Sequence, residues 1–139
     1  MVDTNVLVSA LIGSRPDSPP KLLLRAMLSG ELRYLLSADL LAEYSSVAQR
    51  PKLLRLHGLS TVELDALLWR VACNARTCAP ARATVAPSDP GDQMVIDILV
   101  EQPEATLVCG DGPLTASARG LGFATLSPRE WVDSVAQRL

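Results

Sequence analysis

The 139-residue chain holds a single histidine, His57, only two lysines, Lys21 and Lys52, and 4% aromatic residues. One histidine excludes a two-histidine acid–base pair, and a single His57 suggests no zinc site of the Cys/His kind. A Ser-His-Asp triad would need His57 to fall beside suitable partners. The cysteines Cys73, Cys78 and Cys109 form an odd set without tight pairs, which is not a disulfide framework. Cys73 and Cys78 read as ordinary thiols and Cys109 as a buried small apolar residue. No run reaches the roughly 18 apolar residues of a membrane span. The start lacks the basic-then-apolar shape of a secretion signal, so a cytoplasmic protein is expected.

What remains is 48% hydrophobic, so the core must be built from Leu, Val, Ile and Ala. Such a core suits helices packed on a sheet, and the length fits one domain over 1–139. The formal net charge of -2 is unusual for a nucleic-acid binder. A carboxylate cluster holding a divalent ion would account for part of that excess. The other basic residues are arginines, whose planar fork suits phosphate; GC-rich coding would give the same bias.

Strand and helix signals alternate along the chain. Met1-Val2-Asp3-Thr4-Asn5 reads as a strand end, followed at helical spacing by Val6 to Ile12. Ser18 with two prolines opens a helix that Gly30 stops. Leu32 to Leu36 reads as a strand. Ser37 caps a helix carrying Leu40, Leu41, Tyr44 and Val47, ended by Pro51. Ser60-Thr61-Val62-Glu63 is a capping box opening a longer helix. A short strand is expected within 76–85. Asp89-Pro90-Gly91-Asp92 opens a helix through Met94 to Leu99, and Ala105 to Cys109 reads as a buried strand. Gly110-Asp111-Gly112-Pro113 turns into another helix, ended by Gly120 or Gly122. Phe123 to Leu126 is a strand, and Ser127-Pro128-Arg129-Glu130 opens the last helix. The pattern predicts a three-layer α/β/α sandwich with a mostly parallel central sheet.

In such sheets chemistry gathers at the carboxyl ends of the strands. Asp3 and Asp111 follow strands, Asp92 lies in the first turn of its helix, and Glu43 stands one to two turns into the helix opened by Ser37. Converging carboxylates repel one another, and a hard divalent cation such as Mg²⁺ or Mn²⁺ removes that cost. With so little histidine, metal-assisted attack by water is the remaining route to phosphodiester hydrolysis. Each acid also has a plain reading. Asp92 could complement a helix dipole, Asp111 could serve a turn, and Glu43 could be a solvated helix residue. Asp3, at the end of an apolar strand, is the hardest to explain as a bystander. The inference rests on the set.

The set resembles the PIN-domain family. Asp3-Thr4-Asn5-Val6-Leu7-Val8-Ser9-Ala10-Leu11 looks like its opening motif, and Ser37 to Glu43 like its second segment. Asp89-Pro90-Gly91-Asp92 and Cys109-Gly110-Asp111 look like the third and fourth. The resemblance implies a PIN-like fold, Mg²⁺ or Mn²⁺ as cofactor, and endoribonuclease activity on RNA. It further implies likeness to VapC-type toxins of toxin–antitoxin pairs, with a small antitoxin and a homodimer as partners. By that likeness Asp3, Glu43, Asp92 and Asp111 are the catalytic and metal-binding residues, and Thr4 and Asn5 orient carboxylates or water. Two departures stand out. Relatives often carry another acid shortly after the late Gly-Asp, where this chain has Gly112 and Pro113; Asp89 is the candidate substitute. Only Met1 and Val2 precede Asp3, so the first strand is short.

Arg50 and Lys52 are candidate phosphate contacts beside Glu43, or else a solvated helix end. Trp69 and Trp131 read as core or dimer contacts, with base stacking the alternative for Trp69. His57 reads as a loop residue. Two other functions compete: a catalytically weak PIN-fold module binding RNA or a protein, and a phosphotransfer domain with an aspartyl nucleophile. The latter wants a second aspartate two residues after Asp3, where Asn5 stands.

Overall fold

The computed structural model describes residues 1–87, 89–110 and 112–138. Its first element is a stub of strand. Met1 to Asp3 run parallel to β3 (Thr106–Val108): the Val108 N–H donates to the Met1 carbonyl and the Asp3 N–H to the Val108 carbonyl, both at 2.9 Å. Asp3 then becomes the N-cap of helix α1 (Thr4–Ile12), so strand and helix meet at this residue without a loop. The apolar spacing of Val6, Leu7 and Ala10 turns one face of α1 into the core.

Helix α2 (Pro19–Ser29) starts on two prolines, which suit a first turn with no N–H to satisfy. It stops at Gly30 in the left-handed conformation, φ 81°. Strand β1 (Leu35–Ser37) passes straight into α3 (Ala38–Ala48), where the Ser37 hydroxyl accepts from the Leu40 N–H. Pro51 does more than end this helix. It opens a further one, α4 (Pro51–His57), which the sequence reading did not anticipate. His57 is accordingly a helix-end residue and not a loop residue; its ring lies 2.9 Å from the Ala48 carbonyl and accepts from the Leu59 N–H. Helix α5 (Thr61–Asn74) carries the expected capping box of Ser60 and Glu63, with both reciprocal bonds formed.

Strand β2 (Arg76–Cys78) pairs in parallel with β1, and β4 (Ala124–Leu126) pairs in parallel with β3. A 3-10 turn (Pro90–Asp92) leads into α6 (Gln93–Glu101), α7 (Pro113–Gly120) joins β3 to β4, and α8 (Pro128–Ala136) follows β4. The result is a mixed α/β structure, more than half helical, with three-residue parallel strands, consistent with a PIN-like fold. β3 and β4 are shorter than the apolar runs that mark them, because parallel pairing covers only three residues of each.

Buried side chains of α1, α2, α3, α5, α6 and β3 form a continuous core around Leu7, Met27, Tyr44, Leu64, Ile96 and Leu107. Trp131 packs half-buried against it. Trp69 does not: it is 71% exposed on α5, which overturns its reading as a core residue. Cys109 is buried, as expected. No helix among the described residues is long and apolar enough to cross a membrane.

Candidate active site

Three of the four singled-out acids are brought to one rim. Asp3 caps α1 at the carboxyl end of the first strand, Glu43 projects from α3, and Asp92 caps α6 after its 3-10 turn. All three are half-buried. Asp111 lies outside the described residues.

The electrostatics of Asp3 record this convergence. Its carboxyl is raised from the ordinary 3.8 to about 6. Burial is the main cause and the Asp92 carboxylate the next. The backbone N–H groups of Thr4 and Asn5 pull in the other direction, although neither makes a capping hydrogen bond of ordinary geometry, and Glu43 raises the value further. Asp92 is raised as well, by burial first, then by Asp89 and Glu43. Residues 3, 43 and 92 thus feel one another's charge across 89 positions of sequence. Carboxylates so placed favour either a shared proton or a cation. Among the described residues no three acidic, His or Cys side chains already form a metal-ready cluster. The three described carboxylates supply the charge that a divalent cation would balance.

The supporting residues divide. Thr4 is buried at the start of α1, where it can steady the Asp3 turn, whereas Asn5 is exposed. Asp89 is exposed and accepts from the Gly91 N–H at 2.8 Å, so it shapes the turn as well as adding charge beside Asp92. Arg50 and Lys52 are exposed at the start of α4, which packs against α1 and α3. The position after Asp111 explains one departure noted above. Gly112 has φ 143°, a region L side chains rarely adopt, and Pro113 begins α7. A side chain at position 112 would be strained by that backbone conformation, although the space around it is open.

Two residues that the sequence reading did not assign to the site hold it in place. The buried Tyr44 hydroxyl donates to the carbonyl of Val2, tying the residue after Glu43 to the residue before Asp3. The buried Thr115 hydroxyl donates to the carbonyl of Gly110, next to Asp111, and contacts the Cys109 sulfur at 2.9 Å. A tyrosine within an apolar helix face needs a partner for its hydroxyl, so the signal existed. Its partner, 42 residues away, was not legible.

A cavity of about 650 Å³ opens at the other, amino ends of the strands, beside Tyr34, Ala105 and Trp131. None of Asp3, Glu43 and Asp92 lines it. The rim is the better candidate for chemistry despite its shallowness. It alone gathers carboxylates with perturbed acidity, and a polymer's phosphates are reached more easily on an open edge than in a deep hole.

No curated protein and no solved structure gives a significant match to the chain. Residues 1–112 match the sequence model of the PIN domain, a stretch that contains all four acidic segments from Asp3 to Asp111. PIN domains are in general nucleases and generally use divalent metal ions. With four-fifths of its length covered by that match, the chain belongs to the PIN-domain family.

Proposed function

We propose that this chain is a Mg²⁺- or Mn²⁺-dependent endoribonuclease, the toxin of a toxin–antitoxin pair, working at Asp3, Glu43, Asp92 and Asp111. On this reading residues 1–139 form one PIN-like three-layer α/β/α unit in the cytoplasm. Its partners are RNA, a small antitoxin protein and a second copy of the chain. The observation that carries the reading is the convergence of Asp3, Glu43 and Asp92, far apart in sequence, on one rim of a PIN domain.

The four carboxylates are hard oxygen donors of the kind Mg²⁺ and Mn²⁺ prefer. A bound divalent ion would supply Lewis-acid stabilisation of charge on the scissile phosphate and lower the pKa of the attacking water. The chain's own residues do the rest. Asp3 and Glu43, braced by Tyr44, hold two carboxylates at a set separation. Asp92, with Asp89 beside it, adds negative charge to the same rim. Thr4 steadies the Asp3 turn, Asn5 faces solvent where it can orient substrate or water, and Arg50 and Lys52 attract phosphates flanking the cut.

The test is cleavage of a structured RNA pool with and without Mg²⁺ or Mn²⁺. Cutting that needs metal and disappears in Asp3→Asn and Asp111→Asn, with both variants folded by circular dichroism, is the expected result. Unchanged cutting by both variants refutes the proposal. Two features of the sequence favour a second reading, a PIN-fold module that binds RNA or protein without cutting: Gly112 and Pro113 stand where relatives often carry another acid, and the net charge is -2. Calorimetric titration with Mn²⁺ separates the two, since only the nuclease should show a saturable site sensitive to Asp3→Asn.

A further inference from the structure

Asp89 and Asp92 reach the rim on a stretch of chain whose two ends are tied to each other. Beyond β2 the chain forms no helix or strand among the described residues until Pro90, and it runs alongside α6 in the opposite direction. Side chains of α6 hold it there. Glu101 accepts from the Ala81 N–H at 3.2 Å and Asp97 from the Ala83 N–H at 2.8 Å. The Gln93 amide donates to the Val85 carbonyl at 3.1 Å, where the chain bends. The bonds fall at every second residue of this strap and every fourth residue of the helix. Two residues of extended chain advance about 6.6 Å and four of helix about 6 Å, so the two can keep pace. One atom serves twice: Asp97 Oδ1 also accepts from the Gln93 amide at 2.9 Å, which aims that amide at Val85.

The Gln93–Val85 bond closes a loop over residues 86–92, and Asp89 and Asp92 both lie inside it. Closure has work to do. Asp92 stands against the charges of Asp3 and Glu43, and like charges repel, so an untied loop would relax by carrying Asp92 away from the rim. It would also spread both acids over many positions, because a chain segment held at one end keeps its conformational entropy. Asp97 is no part of the rim itself. Five residues of helix turn it about 140° from Asp92, and its Oδ1 already has two donors. We propose that Asp97 is a positioning residue: by clipping the strap and aiming Gln93, it holds closed the loop that carries Asp89 and Asp92. Where these acids stand matters only if the rim binds metal, so this role rests on the nuclease reading.

Two assays on the full chain test it. Without metal, trypsin cuts after Arg82, an exposed residue of the strap, at a rate set by how often the strap lifts. Asp97→Ala should speed this cut about tenfold. Asp97→Asn keeps the accepting Oδ1 and should stay near the wild-type rate. In calorimetric titration with Mn²⁺, Asp97→Ala should bind about tenfold more weakly, Asp97→Asn should stay near wild type, and Asp92→Asn should lose the site. RNA cleavage should follow the same order. Circular dichroism checks folding. If Asp97→Ala does not fold, Ala83→Pro removes the same hydrogen bond from the strap side with α6 untouched, and the same two effects are expected of it. Faster cutting after Arg82 with unchanged Mn²⁺ affinity would reduce Asp97 to a fastener of the strap and overturn the proposal. An Asp97→Asn variant as damaged as Asp92→Asn would make Asp97 a metal ligand and overturn it too. A wild type without a saturable Mn²⁺ site removes the nuclease reading and this role with it, whereas wild-type binding that is indifferent to Asp97→Ala removes this role alone.

Discussion

The acidic rim and the outer face of α5 are opposite departures from what water prefers. At the rim, charged groups are held partly away from solvent beside charges of the same sign, and Asp3 responds by holding its proton to about pH 6. On α5, a large indole and a valine are held in solvent with no neighbour to cover them. Most of the chain obeys the usual sorting: among the described residues no buried side-chain nitrogen or oxygen lacks a hydrogen-bond partner. Among the described residues the polar groups are thus satisfied, while the rim gathers like charge and α5 keeps its largest apolar side chain in solvent. A divalent cation, of the kind PIN domains generally use, would complement the first, and an apolar partner surface the second.

The comparison breaks most visibly at Asp3. Asp3→Asn should lower metal-dependent cleavage by about a thousandfold or more, yet should not lower the thermal midpoint of the metal-free protein, because it removes a carboxylate the fold holds at a cost. Loss of both activity and fold would mean that Asp3 is structural. The next effect is on pH. Asp3 ionises at about 6 when folded against 3.8 as the ordinary value, so its contribution favours the folded state at low pH and is lost as pH rises through 6. Denaturant melts in chelator should show stability falling by on the order of 3 kcal/mol from pH 4 to 7. Asp92 adds to the fall, and Asp3→Asn should remove most of it. A flat profile in wild type would contradict the crowding of the rim.

Smaller effects sharpen the contrast. Tyr44→Phe strands the buried Val2 carbonyl and should cost about 1–2 kcal/mol in stability, with cleavage reduced through misplacement of Asp3 and Glu43. Wild-type stability and activity would refute the bracing role. Arg50→Ala with Lys52→Ala should raise KM for RNA about threefold and lessen its salt dependence, leaving kcat unchanged. At the far end of the scale, Trp69→Glu should leave the stability of the dilute monomer within about 0.5 kcal/mol of wild type, as for exposed sites generally. A large loss would show that Trp69 supports the monomer after all.

Much of this was legible in the sequence, for physical reasons. The caps Ser37, Ser60 and Ser127 are local signals, read within four residues, and each accepts the expected backbone N–H. The alternation of elements and the placing of Asp3 and Asp92 at element ends follow from the same local code. Long-range facts were not legible. Tyr44 and Thr115 look like ordinary core residues until their partners are known. Helix α4 was missed because Pro51 was read as a stop, although proline serves equally as a start. For Trp69, read as a core or dimer contact, the core alternative fails because helical periodicity says which residues share a face and not which face has a neighbour. The convergence of Asp3, Glu43 and Asp92 was inferred from the set as a whole, and only the charge coupling gives it physical content.

The bond from Tyr44 to Val2 has a mechanical corollary. Tyr44 directly follows Glu43 and Val2 directly precedes Asp3, so a rocking of α3 is delivered to both carboxylates in the same sense. The two are thereby positioned as one unit, and their spacing to Asp92 is set by how α3 packs against α6.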